Sequence, residues 1–400
     1  YLTSFYFCLS LGGFLGGAFT SLLAPRLFNG TLEYHLMLIA AAALIVTVSD
    51  DRQPASQKQR RPWGLPGFVA MIAIVIWSAL GQYVENPVLR LLGAAVPAAA
   101  CLLLARRPAG FAIGVGAILL SSYFFPPGDA AMLHVERSYF GIHRVFQRPY
   151  GYRWLIHGST LHGVQNMEPD RRRVPMGYYH PDGPLGSVFG TFGKTLTGPV
   201  AIAGLGTGAI AAYGKPQQEM TFFEIDPAVE RIAKNPDYFT YLSDSAARVN
   251  VVLGDARLSL KAAPDAHYQM IILDAYSSDA IPVHLLTREA IQLYLSKLQP
   301  GGLLVFHLSN LHFDLRPLAT ALCRDASLDS LFAEDPEPEE KTTTGERIPS
   351  RWFVAAREVL TLAPLEKSGN WIRETAQPTV RVWTDDYSSP VELLNWRSGQ

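Results

Sequence analysis

The stretch PVAIAGLGTG, Pro199 to Gly208, joins a short apolar run to a loop that contains three glycines. A short apolar run bounded by turn residues is consistent with a buried strand. Glycine directly after such a strand lets the backbone turn sharply and approach a ligand closely. The stretch therefore predicts the first strand and first loop of a nucleotide-binding α/β fold.

The residues that follow repeat an alternation of strand and helix. The predicted strands are EMTFFEID, RVNVVLGDA, YQMIILDAY and LLVFHLS, and the predicted helices begin in PAVERIAKN and REAIQLYLSKLQPGG. Strands that alternate with helices predict a doubly wound parallel sheet. We therefore expect residues 199–400 to form an α/β Rossmann-like domain that binds a nucleoside at the carboxyl edge of its sheet.

A smaller β-rich segment precedes this sheet. HVERSYFGIHRVFQ and YRWLIHGSTLHGVQ are rich in β-branched and aromatic residues and are interrupted by glycine. Such segments are typical of short strands. We expect residues 126–198 to form a small antiparallel lid.

The first 125 residues differ from the rest in composition. They contain five apolar runs, which are Leu2–Ala24, Tyr34–Val48, Gly67–Gln82, Val88–Ala105 and Ala109–Phe125. A membrane-spanning helix needs about 20 apolar residues. Because the chain begins with Tyr rather than Met, we expect residues 1–125 to be a truncated transmembrane bundle of about five helices.

Composition narrows the classes of ligand. Charged residues make up 17% of the chain and its net charge is -1, so no overall field favours nucleic acid. Three scattered cysteines form neither a disulfide framework nor a metal motif. His157 and His162 are five residues apart, but no third ligand with suitable spacing follows, and we predict no metal site.

The glycine loop and two acids form a candidate nucleoside site. Glu224 ends the strand after the loop, about 20 residues on, where an acid accepts hydrogen bonds from ribose hydroxyls. Asp255 ends the third strand, where a carboxylate can accept from an adenine amino group. A tight turn with a strand-end acid, or an NAD site, are the alternatives. The candidate binding residues in the loop are Gly204, Gly206, Thr207 and Gly208.

A candidate catalytic loop follows the fourth strand in ILDAYSSDAIP, Ile272 to Pro282. Asp274 ends the strand, so it should lie at the ligand-binding edge of the sheet. Asp279 lies in the loop, where an acid that caps a turn is the alternative interpretation. A carboxylate at this edge can hold a cationic amine and take its proton during attack on a sulfonium carbon.

The quoted motifs resemble a known family. AGLGTGAIAAYG, FFEIDPAVERIAKN, VVLGDARLSL and MIILDAYSSDAIPVHLLT look like the spermidine synthases, the polyamine aminopropyltransferases, over about residues 130–325. The apolar start is similar to the spans of bacterial membrane proteins that are fused to a spermidine-synthase-like domain. The resemblance implies an N-terminal β lid, a core of the S-adenosylmethionine-dependent transferase type, and decarboxylated S-adenosylmethionine as aminopropyl donor.

The resemblance also implies roles for individual residues. Glu224 matches the family's ribose-binding acid, Asp255 its adenine-binding acid and Asp274 the first acid of its catalytic loop. Gln165 and Tyr179 match a Gln and a Tyr that line the acceptor pocket in the family.

This sequence departs from the family pattern at two places. Thr207 stands where the family has an aspartate in the glycine loop. Asp274 and Asp279 are five residues apart, where the family has a spacing of three. We therefore expect a membrane-bound transferase that uses S-adenosylmethionine or its decarboxylated form and moves an aminopropyl group to an amine. A methyltransferase and a non-catalytic nucleoside-sensing module are the alternatives.

The expected partners are a small amine acceptor, the lipid bilayer and, in a homodimer, a second copy of the chain. The expected location is the bacterial inner membrane. Basic residues in the loops 49–66 and 106–107 place the C-terminal part on the far side of the membrane by the positive-inside rule. The adenosyl donor is made in the cytosol, and on that ground we expect the soluble part to be cytoplasmic.

Overall fold

The structure is a computed structural model that describes most of the chain. The described residues are 1–50, 64–83, 88, 95, 97–99, 101, 108–124, 130–158, 160–275, 282–335, 346–375 and 379–394. The chain divides into two compact units, Tyr1–Ala130 and Ala131–Gln400.

The described residues of the first unit are mostly helical, with a short non-helical connection at residues 28–31. A π-helical turn at Phe19–Leu23 connects the first two helices. The helices are α1 (Leu2–Ala18), α2 (Ala24–Leu27), α3 (Leu32–Asp50), α4 (Gly64–Tyr83) and α5 (Pro108–Phe124).

One helical stretch in the described part of this unit has the length and composition of a membrane span. Leu2–Leu27 has 26 residues and a mean hydropathy of 1.6, and only 6% of its most apolar window is buried. The other apolar helices, such as Leu32–Leu44 and Gly110–Leu120, are shorter. Most of the predicted fourth run, Val88–Ala105, lies outside the described residues. The described residues therefore do not show the predicted five-helix transmembrane bundle.

The second unit begins with the lid. Four antiparallel strands pair in the order β1-β2-β3-β4. The strands are β1 (Ala131–Arg137), β2 (Ile142–Gln147), β3 (Tyr152–His157) and β4 (Thr160–Asn166). The prediction of a small antiparallel sheet before the core is confirmed.

The core is an eight-stranded sheet with the order β12-β10-β11-β9-β8-β5-β6-β7. The five strands from β9 to β7 are parallel to their neighbours, whereas β10, β11 and β12 form antiparallel pairs. The predicted Rossmann-like sheet is thereby confirmed. Its strands are β5 (Val200–Ala203), β6 (Glu219–Glu224), β7 (Arg248–Leu253), β8 (Tyr268–Leu273), β9 (Leu298–His307), β10 (Asp329–Glu334), β11 (Arg351–Ala356) and β12 (Ile372–Arg373).

Helices cover both faces of this sheet. Residues that alternate along one strand enter different apolar clusters: Val200 and Ile202 belong to one, and Ala201 and Ala203 to the other. Side chains of a strand point alternately to opposite faces, so the sheet separates two layers of core. The helices are α6 (Pro184–Phe192), α7 (Pro227–Lys234), α8 (Tyr241–Asp244), α9 (Ala256–Ala262), α10 (Arg288–Lys297), α11 (Arg316–Asp325) and α12 (Val359–Glu366).

The lid packs directly on the core. Val145 and Leu155 of the lid share an apolar cluster with Ile232 and Phe239 from the α7 region. Strand β4 lies against the glycine loop, because a methyl group added at Gly163 would lie 2.4 Å from Thr207 Oγ1. This contact sets the distance between strand β4 of the lid and the glycine loop.

Candidate active site

A cavity of about 1000 Å³ lies between the lid and the carboxyl edge of the core sheet. Its walls come from lid strands β2 to β4, from the glycine loop and from the ends of β6 to β9. Ligands of open α/β sheets bind at this edge. The edge was predicted as the site from the positions of the glycines and acids.

Neighbouring parallel strands place the candidate residues in a row. In spatial order, β7 is followed by Asp255, β6 ends in Glu224, β5 is followed by Gly204, β8 is followed by Asp274, and β9 ends in His307. Adjacent strands are about 4.8 Å apart, so Glu224 and His307 are separated by roughly 14 Å across the sheet. The row is long enough for a nucleoside at one end and a reacting group near the other.

The glycine loop comes close to the end of β8. Gly204 has a φ of +99° and Gly206 a φ of +53°, which glycine adopts without a steric penalty. A methyl group at Gly204 would lie 2.2 Å from the carbonyl oxygen of Asp274. The sequence Gly-Leu-Gly therefore lets the loop pass beside Asp274 and leaves the edge open.

Glu224 faces the cavity with its carboxylate bound by the backbone. Leu205 N donates to Oε2 at 3.0 Å and Asp226 N donates to Oε1 at 2.9 Å. Burial raises the pKa of Glu224, and these backbone hydrogen bonds oppose the rise only in part. A carboxylate held in this way keeps free lone pairs for hydroxyl donors of a ligand.

Asp255 lines the cavity and also begins helix α9. Its Oδ1 accepts from Leu258 N at 2.9 Å, as an N-cap residue does, and its Oδ2 lies 2.8 Å from His284 Nε2. The N-cap hydrogen bond fixes the carboxylate at the sheet edge. His284, which the sequence analysis did not select, closes this end of the cavity.

Asp274 is the centre of a hydrogen-bonded group. Tyr179 donates its hydroxyl to Oδ2 at 2.7 Å, and His307 Nδ1 lies 2.6 Å from Oδ1. The other ring nitrogen, His307 Nε2, lies 2.8 Å from Ser309 Oγ. All four side chains line the cavity. The structure therefore brings two of the predicted site residues, Asp274 and Tyr179, into contact.

Three other predicted site residues are placed away from the cavity walls. Gln165 is fully buried, and its amide donates to Thr240 Oγ1 and Arg172 O and accepts from Thr240 N. Thr207 points at Gly163 of the lid, and Gly208 with φ +80° ends the loop. None of the three is among the described lining residues. Gln165 instead ties β4 to the loop before α8.

Asp279 lies outside the described residues, which resume at Pro282.

Three lid histidines form part of the cavity wall. His143 Nε2 lies 2.7 Å from Asp226 Oδ2, and the ring centroids of His143 and His157 are 4.6 Å apart. His162 follows at 5.3 Å from His157. Burial, reinforced by the two other histidines, lowers the pKa of His162 to about 3. The described residues contain no group of three side chains placed to hold a metal ion.

The low pKa of His162 predicts that the protein loses stability in mild acid. Below the unfolded pKa of about 6.5 the unfolded chain binds a proton that the folded chain excludes. The contribution of His162 to the free energy of unfolding should fall by about 1.4 kcal/mol for each unit by which the pH is lowered from 6.5 to 5. Urea unfolding at several pH values should show that the free energy of unfolding of His162→Gln depends less steeply on pH than that of the wild type. Identical slopes would contradict the prediction.

Charged residues of two surface segments have intramolecular partners. Arg171 pairs with Glu346, and Arg172 pairs with Asp244 at 3.0 Å. Asp385 forms a bidentate pair with Arg257 at 2.7 Å, outside the cavity walls. These residues hold the lid connection and the C-terminal segment in place.

His307 and Ser309 are the main site residues that sequence reasoning missed. The motif HLS reads as the end of a buried strand, because His307 follows four apolar residues. The position of His307 and Ser309 was nevertheless a usable signal. They lie two residues apart at the carboxyl end of β9, and each of the four other strands in the row has a candidate site residue at that end.

Two curated proteins are similar to this chain in sequence. A polyamine aminopropyltransferase of Vibrio vulnificus (strain CMCP6) is 29% identical over 194 residues, which cover 45% of this chain and 60% of that protein. A probable polyamine aminopropyl transferase of Bifidobacterium longum (strain NCC 2705) is 32% identical over 111 residues, which cover 27% of this chain and 23% of that protein. The chain thus spans less than two thirds of either relative. No family model matches the chain.

Solved structures were also compared with the chain. The spermidine synthase from Thermotoga maritima aligns with a TM-score of 0.43 at 15% identity, covering 62% of this chain and 80% of that one. A probable spermidine synthase from Corynebacterium glutamicum ATCC 13032 aligns with a TM-score of 0.44 at 16% identity, covering 66% of this chain and 100% of that one. The sequence relatives agree with the assignment made from the motifs. This chain is thus similar in sequence to polyamine aminopropyltransferases, in agreement with the resemblance of its motifs to the spermidine synthases.

Proposed function

We propose that this protein binds decarboxylated S-adenosylmethionine and transfers its aminopropyl group to a small amine. The row of side chains along the sheet edge carries this proposal. Asp255 and Glu224 stand at one end, where they suit adenine and ribose, and Asp274 with Tyr179 stands beyond the glycine loop. The sulfonium carbon of a donor bound in this order lies beside Asp274.

The charge of the cavity supports cationic ligands. Its described lining includes six carboxylates and a single guanidinium, that of Arg351. The decarboxylated donor carries an ammonium and a sulfonium, and the acceptor is an ammonium ion before reaction. S-adenosylmethionine adds a carboxylate that this wall repels. The six acids are Glu224, Asp226, Asp255, Asp274, Glu334 and Asp335.

The reaction is a displacement at carbon. The amine nitrogen attacks the methylene carbon attached to sulfur, the carbon–sulfur bond breaks, and methylthioadenosine leaves as a neutral thioether. Asp274 attracts the acceptor ammonium to the reacting carbon. Holding both reactants in one cavity supplies the proximity that such a reaction needs.

Product analysis tests this function. Purified protein is incubated with decarboxylated S-adenosylmethionine or S-adenosylmethionine and with a panel of small diamines and polyamines. Release of methylthioadenosine together with an aminopropylated amine supports the proposal. Adenosylhomocysteine from S-adenosylmethionine would indicate methyl transfer instead. Binding without either product would favour a nucleoside-sensing module.

We further propose that the N-terminal unit anchors the enzyme in a lipid bilayer with the transferase unit in the cytoplasm. Large apolar side chains of α1 are mostly exposed, including Phe5, Phe7 and Phe14, and an all-round apolar helix suits lipid. Donor supply argues for the cytoplasmic side. A cysteine placed at exposed Ser296, with Cys8 removed, should resist an impermeant maleimide in intact cells and react after lysis. Labelling without lysis would reject the cytoplasmic placement.

A further inference from the structure

The side chains of Ser309, His307 and Asp274 form a linear series of hydrogen bonds in the cavity wall. Ser309 Oγ lies 2.8 Å from His307 Nε2, and His307 Nδ1 lies 2.6 Å from Asp274 Oδ1. Asp274 Oδ2 is already bound by the hydroxyl of Tyr179 at 2.7 Å. Ser309 is partly exposed, whereas the side chain of His307 is only 5% exposed. The series therefore runs from the cavity surface into the protein.

The partners determine which nitrogen of His307 carries the proton. A carboxylate accepts hydrogen bonds and donates none, so Nδ1 is the protonated nitrogen. Nε2 then has a lone pair, and the hydrogen of the Ser309 hydroxyl satisfies it. The Ser309 oxygen in turn accepts from Arg351 N at 2.9 Å. This is the arrangement in which a buried acid fixes the tautomer of a histidine that removes a proton from a hydroxyl.

The surroundings of His307 hold the ring in this orientation. Its ring stacks on Trp352 with centroids 4.4 Å apart and an interplanar angle of 11°. The titratable and charged groups that face it are Asp274, Tyr178, Tyr179 and Arg351, the last through the backbone amide that binds Ser309. The ring therefore stays in line with both Asp274 and Ser309.

The proposed transfer needs a base, because an amine at neutral pH is protonated and has no free lone pair. Both oxygens of Asp274 already accept a short hydrogen bond. Imidazole is the side chain that most often serves as a general base. General base catalysis can act through one bridging water, and a serine hydroxyl offers the same combination of a donor and an acceptor.

We infer that His307 is the general base of this enzyme, with Ser309 as the proton carrier and Asp274 as the positioning residue. This inference rests on the proposed aminopropyl transfer. The acceptor ammonium gives one proton to Ser309 Oγ while the Ser309 hydroxyl proton moves to His307 Nε2. The freed nitrogen lone pair then attacks the methylene carbon, and the carbon–sulfur electron pair stays on sulfur. The secondary ammonium product keeps the remaining charge, and the imidazolium later releases its proton to solvent.

The test measures methylthioadenosine release by His307→Gln and Ser309→Ala across pH, using decarboxylated S-adenosylmethionine and a diamine. At pH 7 we expect kcat to fall about 100-fold in the histidine variant and roughly tenfold in the serine variant, with methylthioadenosine affinity unchanged. Both deficits should shrink toward pH 10, because the amine then loses its proton in solution. The controls His267→Gln and Ser296→Ala, outside the cavity walls, should behave as wild type.

Three outcomes would overturn the inference, and they are distinguishable. Variants with wild-type kcat at pH 7 leave the transfer intact and exclude the relay. Deficits that stay constant from pH 7 to pH 10 indicate a structural role and also exclude it. A wild-type protein that releases no methylthioadenosine overturns the proposed function and the relay together.

Discussion

Replacing Asp274 with Asn is expected to lower kcat about 1000-fold while the protein stays folded. An amide keeps the shape of the carboxylate but presents an NH₂ group to either His307 or Tyr179, both of which donate to Asp274. The histidine then loses its fixed tautomer, and the acceptor ammonium loses an attracting charge. A change of this kind at the acid of a buried acid–histidine pair costs several orders of magnitude in rate.

Steady-state kinetics of methylthioadenosine release measure this effect, with calorimetry to confirm that the nucleoside still binds. Asp265→Asn is a matched control, because Asp265 is 76% exposed and pairs with Lys297 outside the cavity walls. A kcat within tenfold of wild type in the Asp274 variant would show that this carboxylate neither orients His307 nor attracts the acceptor ammonium.

Replacing Gly204 with Ala is expected to destabilise the protein by about 4 kcal/mol. The added methyl group would lie 2.2 Å from the carbonyl oxygen of Asp274, and the residue has a φ of +99°. Overpacking costs about 1–3 kcal/mol, and an unfavourable backbone conformation adds about 1–3 kcal/mol. The clash is with backbone, so no rotamer change relieves it.

Gly301→Ala separates the two causes. Gly301 also has a positive φ, +73°, but no atom lies within 4 Å of the added methyl group. Urea unfolding should therefore show a loss of only about 1–2 kcal/mol for this control. Equal losses at the two positions would mean that the close approach of the glycine loop to Asp274 contributes nothing.

The strands and their terminal acids were predictable because two independent signals coincide. Glu224 and Asp274 come directly after an apolar run, and Asp255 comes two residues after one. Parallel strands bring their carboxyl ends to one edge of the sheet. Position along the chain therefore determined position in the cavity. The same logic also applies to His307, but the apolar residues before it favoured a core assignment.

The lid residues were harder to predict because their role depends on packing between distant segments. Gln165 was assigned to the acceptor pocket by resemblance, yet its amide is fully bonded to Thr240 and Arg172 O. Thr207 was assigned to the loop that contacts ligand, yet the side chain of Thr207 lies against the lid, in the space that the absence of a side chain at Gly163 leaves. Gln165 and Thr240 are far apart in the sequence, as are Gly163 and Thr207. Neither contact therefore has a local sequence signal.

The measurement that tests the central claim most directly is calorimetric titration of the wild type and of Glu224→Gln with decarboxylated S-adenosylmethionine, S-adenosylmethionine and methylthioadenosine. The claim is that Glu224 and Asp255 hold the nucleoside at the sheet edge. We predict that the wild type binds methylthioadenosine and prefers the decarboxylated donor to S-adenosylmethionine. Glutamine should weaken binding of the nucleosides about 30-fold, because hydrogen bonds to a charged group contribute about 1.5–3 kcal/mol. Absence of binding by all three ligands, or equal affinities in the wild type and the variant, would contradict the account.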